Sequence, residues 1–201
     1  MKYFILIAFL LPGHCYAQTA PDSIKLNFLY GSIPAKGHKK SEPKWFGGIK
    51  GGHVNIEANG MVIDFRPGNP CAIFPNNKKP GGGFHLSNSL YWDTATTKWI
   101  SISIPVTKDQ LTTLTDLFTV YAEQTPYDYA VFGMRCAAAS YDLLSEIGIV
   151  KKLSDKNNIM VNFYPKLLRK RMLKWAKENN YPITYHDGRA TRKWESDSGL
   201  F

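Results

Sequence analysis

Asn59-Gly60 is the dipeptide that most restricts what this chain can fold into. It lies between two runs of alternating polarity, 53–58 and 61–66. Asn-Gly accepts positive φ at both central positions of a two-residue turn, and the twist of that turn matches an antiparallel hairpin. Such a turn pairs 58 with 61, 55 with 64 and 53 with 66. Side chains alternate along a strand, so His53, Asn55, Asp64 and Arg66 share one face while Val54, Ile56, Ile63 and Phe65 share the other. The apolar face belongs to a core and the polar face is free to carry chemistry. A plain surface hairpin has the same alternation, so any function has to be argued from other parts of the chain.

Around the hairpin, Ile24, Leu26, Phe28 and Tyr30 alternate as a first strand, over 24–30. Gly47, Gly48, Gly51 and Gly52 lack the Gly-Lys-Ser/Thr ending of a phosphate loop and read as a loop. Residues 67–97 are rich in Pro, Gly, Asn and Lys and read as a long loop with short irregular pieces. A strand over 99–105 carries Ile100, Ile102 and Ile104 on one side, and Pro105 suits its end. Thr107 with Gln110 forms a capping box, opening a helix with Leu111, Leu114, Leu117, Phe118 and Tyr121 on one stripe; Pro126 stops it. A second helix is predicted over 134–147, with Gly148 as its C-cap and Ala137, Ala138 and Ala139 allowing close packing on a sheet. A third is predicted over 165–178, with Leu168, Met172 and Trp175 on its apolar side. The tail after Tyr185 reads as poorly structured.

The first seventeen residues read as a leader. Lys2 is a short basic start, Phe4 to Leu11 is apolar but too short to span a bilayer, and Cys15-Tyr16-Ala17 suits a cleavage site. His14 before Cys15 does not suit a lipoprotein signal. The expectation is an exported chain, periplasmic or secreted, with one domain over 18–201 and no transmembrane segment once the leader is removed. Losing Lys2 and no acid takes the net charge from +9 to +8. Residues 151–201 hold twelve Lys or Arg against five Asp or Glu, so the C-terminal helix and tail are basic. This is either a solvated basic face or an attraction to anionic surfaces such as headgroups or cell-wall polymers. No nucleic-acid motif is present.

Cys136 falls at the start of the alanine-rich helix, in YDYAVFGMRCAAASYDLL. A thiol at a helix N-terminus is a candidate nucleophile, because the helix dipole and unpaired N–H groups stabilise its thiolate. His53 could exchange protons with it if the fold brings the two together. The bland alternatives stay open. Cys136 and Cys71 could form a disulfide in an oxidising compartment, or Cys136 could be a small buried hydrophobe. His53 could be satisfied by a loop carbonyl, and Asp64 could pair with Arg66 or Lys50 at the surface. His38, His53, His85 and His186 show no metal-ligand spacing, so neither metal nor cofactor is expected.

Three stretches resemble the circularly permuted branch of the NlpC-like cysteine hydrolases, which have a papain-like fold and include YiiX-type proteins and the lecithin:retinol acyltransferase group. GGHVNIEANGMVIDFRP is similar to that family's histidine strand and next strand. KWISISIPVTKDQLTTLTDLFTVYAEQTPYDY is similar to its strand, helix and Tyr-Asp loop, and FGMRCAAASYDLL to its cysteine helix. Histidine precedes cysteine, as permutation requires. The resemblance implies an α+β, papain-like fold with a small antiparallel sheet packed against a cysteine-bearing helix. It implies Cys136 as nucleophile, His53 as general base and acid, and Asp64 as the group orienting the imidazole, with Asn55 the weaker candidate. Arg135 before the cysteine and Ala137 after it depart from the family's pattern. The oxyanion would be held by the Cys136 N–H and a second donor, for which Tyr127 is a candidate.

Three functions follow as expectations. The first is an exported cysteine amidase or peptidase acting on cell-wall peptide. The second is an esterase, thioesterase or acyltransferase using the same site on lipids, suggested by the basic, Trp-containing helix. The third is a non-catalytic binding module stapled by Cys71–Cys136.

Overall fold

The alternating runs become strands, and the turn between them has the geometry its residues favour. In the computed structural model, which describes residues 22–41, 51–76 and 81–195, Asn59 and Gly60 have φ of 50° and 73°. Both are positive, as a two-residue turn matched to strand twist requires. The turn joins β3 (Gly52–Ala58) to β4 (Met61–Pro67), paired as Ala58↔Met61 and Asn55↔Asp64. The reading of residues 1–17 as a leader, the glycines at 47 and 48, and Lys50 lie outside the described residues.

β3 and β4 sit inside a six-stranded sheet. The other strands are β1 (Ser23–Tyr30), β5 (Gly82–Ser87), β6 (Trp99–Pro105) and β7 (Ile183–His186), in the order β5-β4-β3-β1-β6-β7. Every neighbouring pair is antiparallel. A separate two-stranded ribbon joins β2 (Ser32–Pro34) to β8 (Arg192–Trp194). The helices are α1 (Lys108–Glu123), α2 (Cys136–Glu146), α3 (Asp155–Val161) and α4 (Pro165–Glu178). The protein is α+β, and its sheet is larger than the small one expected.

One face of the sheet makes the core. Ile24, Leu26, Phe28, Val54, Ile56, Ile63 and Phe65 pack with Leu114 and Phe118 of α1, the alanines and leucines of α2, and Leu168 and Met172 of α4. Alanine at 137, 138 and 139 lets α2 lie close to β3, since no longer side chain holds the backbones apart. The Thr107–Gln110 capping box forms in both directions, at 2.9 and 3.2 Å. The helix expected over 165–178 has those bounds.

The opposite face is polar but also buried. Asn27, Asn55, Asp64 and Ser101 lie in one row across four strands, through Ser101↔Asn27, Asn27↔Asn55 and Asn55↔Asp64. Buried Trp92 covers one end of this face, its ring 6.4 Å from His53 and 6.1 Å from Trp99. Part of the 67–97 segment thus acts as a cover for the face that a surface hairpin would have left in water.

Several expectations need correction. The 67–97 segment contains β5, held by pairing with β4 and by Phe84 packed 4.7 Å from Phe65. Its Gly-Gly start gives no strand signal of its own. Helix α2 begins at Cys136 rather than Met134, because Met134 bridges to Tyr129 and Arg135 is extended at φ −136°, ψ 171°. Helix α3 was not foreseen; it is short, and Asn158 anchors it by donating to the Ala138 carbonyl at 2.9 Å. After Tyr185, where a poorly structured tail is expected, the described residues are held by β8 and by a buried Arg169–Glu195 ion pair at 3.2 Å. The guanidinium of Arg169 also stacks 3.7 Å from the Tyr30 ring.

Candidate active site

The β3–β4 ladder opens next to Cys136. Its register stops at Asn55↔Asp64, so the expected pairing of 53 with 66 does not form. In an antiparallel ladder, alternate residues point their N–H groups to the same neighbour, and beyond a two-residue turn that assigns the Val54 N–H to the β4 side. The Cys136 sulfur takes that N–H instead. The helix start is therefore docked into the mouth of the opened hairpin. Gly52 makes room at this end: its φ is 91°, and a Cβ there would lie 2.3 Å from the Leu29 carbonyl oxygen.

His53 joins the two halves of the site. Its Nε2 lies 2.7 Å from Asp64 Oδ1, and its ring is also hydrogen-bonded to the Cys136 thiol. With Nε2 on the carboxylate, an imidazole has Nδ1 left for a second hydrogen bond. Asp64 is fully buried and also accepts from Asn55 Nδ2 at 3.0 Å and from Arg66 at 2.5 Å. Asn55 in turn accepts from Asn27 Nδ2 at 3.0 Å. From Asn27 through Asn55 and Asp64 the row is thus a hydrogen-bonded chain ending on the imidazole. Arg66 does pair with Asp64, but on a buried carboxylate rather than at the surface.

Charge explains the titration of these groups. Burial would push the Cys136 thiol up, yet the adjacent His53, the Val54 N–H and the Arg135 charge together hold it below its ordinary value. Burial would likewise lower His53, but the facing thiolate and the Asp64 carboxylate raise it to about 9. Asp64 is pushed up by burial and brought below the ordinary carboxylate value by His53 and Arg66. The arrangement favours an imidazolium–thiolate pair over two neutral groups.

The helix end adds a second influence. Arg135, the N-cap residue, makes no side-chain cap bond, and the first intrahelical bond is Ala139 N–H to the Arg135 carbonyl at 2.9 Å. The N–H groups of the first turn have no partner within the helix and gather at the sulfur end.

The two cysteines among the described residues are free, Cys71 exposed and Cys136 buried. The stapled-module reading loses its staple. Tyr127 is not placed to meet an oxyanion: its hydroxyl donates to Asp142 at 3.4 Å, and its ring packs against Phe65 and Phe84. Two other tyrosines sense the Cys136 charge, Tyr91 and Tyr129; burial pushes both phenols far up, so they remain protonated donors. Tyr91 stands edge-on to His53 at 5.1 Å, with the Arg66 guanidinium 4.3 Å from its ring. Sequence reading missed Tyr91, Trp92 and Tyr129, because loop aromatics carry no periodicity; the Tyr91-Trp92 pair in a Gly/Asn-rich stretch was the one available signal.

The histidines are dispersed. His85 faces Asp64 in the register but is exposed, and His186 stacks on Trp99 at 3.6 Å. Among the described residues no group of three His, Cys, Asp or Glu is arranged to hold a metal. No helix among them is long and apolar enough to cross a membrane. Comparison of the chain with protein-family models, curated proteins and solved structures finds no match.

Proposed function

We propose that this protein is an exported cysteine hydrolase of papain-like, permuted NlpC-like type, cleaving an amide through an acyl-enzyme. The observation that carries the reading is one buried imidazole hydrogen-bonded both to the thiol of the first residue of α2 and to a buried carboxylate. Buried titratable groups that shift one another's protonation are the pattern expected where charge serves chemistry.

The Cys136 thiolate attacks the substrate carbonyl carbon, forming a C–S bond as the carbonyl electrons move onto oxygen. The Cys136 N–H donates to that oxyanion, and the protonated phenols of Tyr91 and Tyr129, both close enough to feel the Cys136 charge, are the candidate side-chain donors. His53 gives its proton to the leaving amine as the C–N bond breaks, leaving a thioester. Water then attacks while His53 takes its proton; the C–S bond breaks and the acid departs. Asp64, held by Asn55 and Arg66, keeps the imidazole directed at the sulfur throughout. Cell-wall peptide is the amide that fits an exported enzyme, and a lipid ester would use the same steps.

Intact-mass measurement tests the acyl-enzyme. The protein is exposed to a panel of cell-wall peptide amides and activated acyl esters, then quenched in acid. A mass increase equal to the acyl group, localised to Cys136 and missing in Cys136→Ala, is the expected outcome. Acylation of Cys71 alone, or an identical adduct on the variant, contradicts the reading.

A further inference from the structure

Beside the thiol, the chain holds a row of apolar side chains out toward solvent. Val131 N–H donates to the Ala72 carbonyl and Phe132 N–H to that of Ile73, each at 2.9 Å. This pairing places the Phe132 ring against Phe74, stacked at 5.5 Å. Phe163, in the turn between α3 and α4, also stacks on Phe132, at 6.5 Å. The row is tied to the site, since Arg135, which precedes Cys136, lies 4.2 Å from the Phe163 ring. Yet Ile73, Phe74 and Phe132 are 60%, 66% and 59% exposed. Soluble proteins seldom present clustered large apolar side chains without a use for them.

The chemistry of the row and its border narrows the occupant. Phe, Ile and Met side chains offer no hydrogen bonds with which to select a sugar or a peptide backbone. Three further exposed apolar residues flank Phe163 along the chain, Met160 and Val161 on α3 and Leu167 on α4. Exposed Lys156 lies one turn before Met160, and exposed Lys170 one turn after Leu167. Apolar side chains bordered by lysines match a bilayer, whose acyl boundary takes the first and whose anionic headgroups take the second. A second copy of this chain, at +8 without its leader, brings like charge to the same border.

We propose that this rim docks the protein on an anionic lipid bilayer, with the mouth of the Cys136 site turned to the interface. Docking itself is independent of the chemistry; its consequence, that the carbonyl offered to the thiol is held at a lipid surface, rests on the reading of Cys136 as nucleophile.

Co-sedimentation with vesicles tests the docking. The wild type is expected to sediment with phosphatidylcholine–phosphatidylglycerol vesicles, to stay in solution with phosphatidylcholine alone, and to be released by salt. Phe74→Ser with Phe132→Ser, at exposed positions, should keep the wild-type melting temperature and weaken partitioning by about tenfold or more. Lys156→Glu with Lys170→Glu should remove the preference for anionic vesicles. Cys136→Ala should bind as the wild type does, so failure of docking and failure of the catalytic reading are told apart. The proposal is overturned if the wild type ignores anionic vesicles, if the double phenylalanine variant binds undiminished, or if that variant instead dissociates a dimer, which would make the rim an interface between two copies.

Discussion

Replacing Cys136 by alanine is expected to lower turnover of a cleaved substrate by about four to six orders of magnitude, the range seen when a covalent nucleophile is removed. The fold should tolerate the change. Alanine is the residue at the next three positions of α2, and the lost sulfur leaves a void of one atom, so the cost to stability is on the order of 1 kcal/mol. A urea titration beside the rate assay separates the two effects. Retained turnover, or loss of activity accompanied by unfolding, would each deny the sulfur the role assigned to it. The size of the effect follows from the geometry: His53, Asp64 and the helix N-terminus all act through that one atom, so none of them can replace it.

The second large effect concerns stability. Asp64 is buried and bonded at once to His53, Asn55 and Arg66. Asp64→Ala leaves an imidazolium and a guanidinium without their shared counter-charge, and a buried pair broken in this way costs about 3–5 kcal/mol at neutral pH. The folded-state value of Asp64 is depressed, so its stabilisation is present above the ordinary carboxylate pKa of about 3.9 and is lost as pH falls through the folded value. The gap between variant and wild type should therefore be widest near neutrality and close in acid. Denaturant titrations at several pH values read it directly. A neutral-pH loss below about 1 kcal/mol, the level of an exposed pair, would mean that Asp64 is not the shared counter-charge of a buried site.

Much of this site was legible before any coordinates, and for local reasons. Asn59-Gly60 sets the turn, the turn sets the register, and the register puts Asn55 opposite Asp64 and leaves His53 diagonal to it. The start of α2 was placed within two residues because the alanine run and Gly148 bound it. What sequence could not give was pairing between distant segments. Strand β5 exists because β4 offers it an edge, and β8 exists because β2 does; neither has a pattern of its own. The expected 53–66 pair failed for a related reason, since a sulfur from a helix about eighty residues away captures the Val54 N–H. The burial of the polar face also depends on Trp92, whose position no alternation records. Tyr127 had the right chemistry but faces Asp142, a direction set by the packing of Phe65 and Phe84.

Cys136 should rest as a thiolate paired with a protonated His53, and a thiolate absorbs in the ultraviolet where a thiol does not. The direct measurement is the absorbance difference between wild type and Cys136→Ala across a pH titration. Partial desolvation of its sulfur and the Asp128 charge raise the exposed Cys71, so that thiol stays protonated near neutrality and cancels in the difference. The predicted result is a thiolate band at neutral pH that disappears only well below the ordinary thiol value of about 8.5, with His53 keeping its proton up to about 9. A band that emerges only above about 8.5 would contradict the pair.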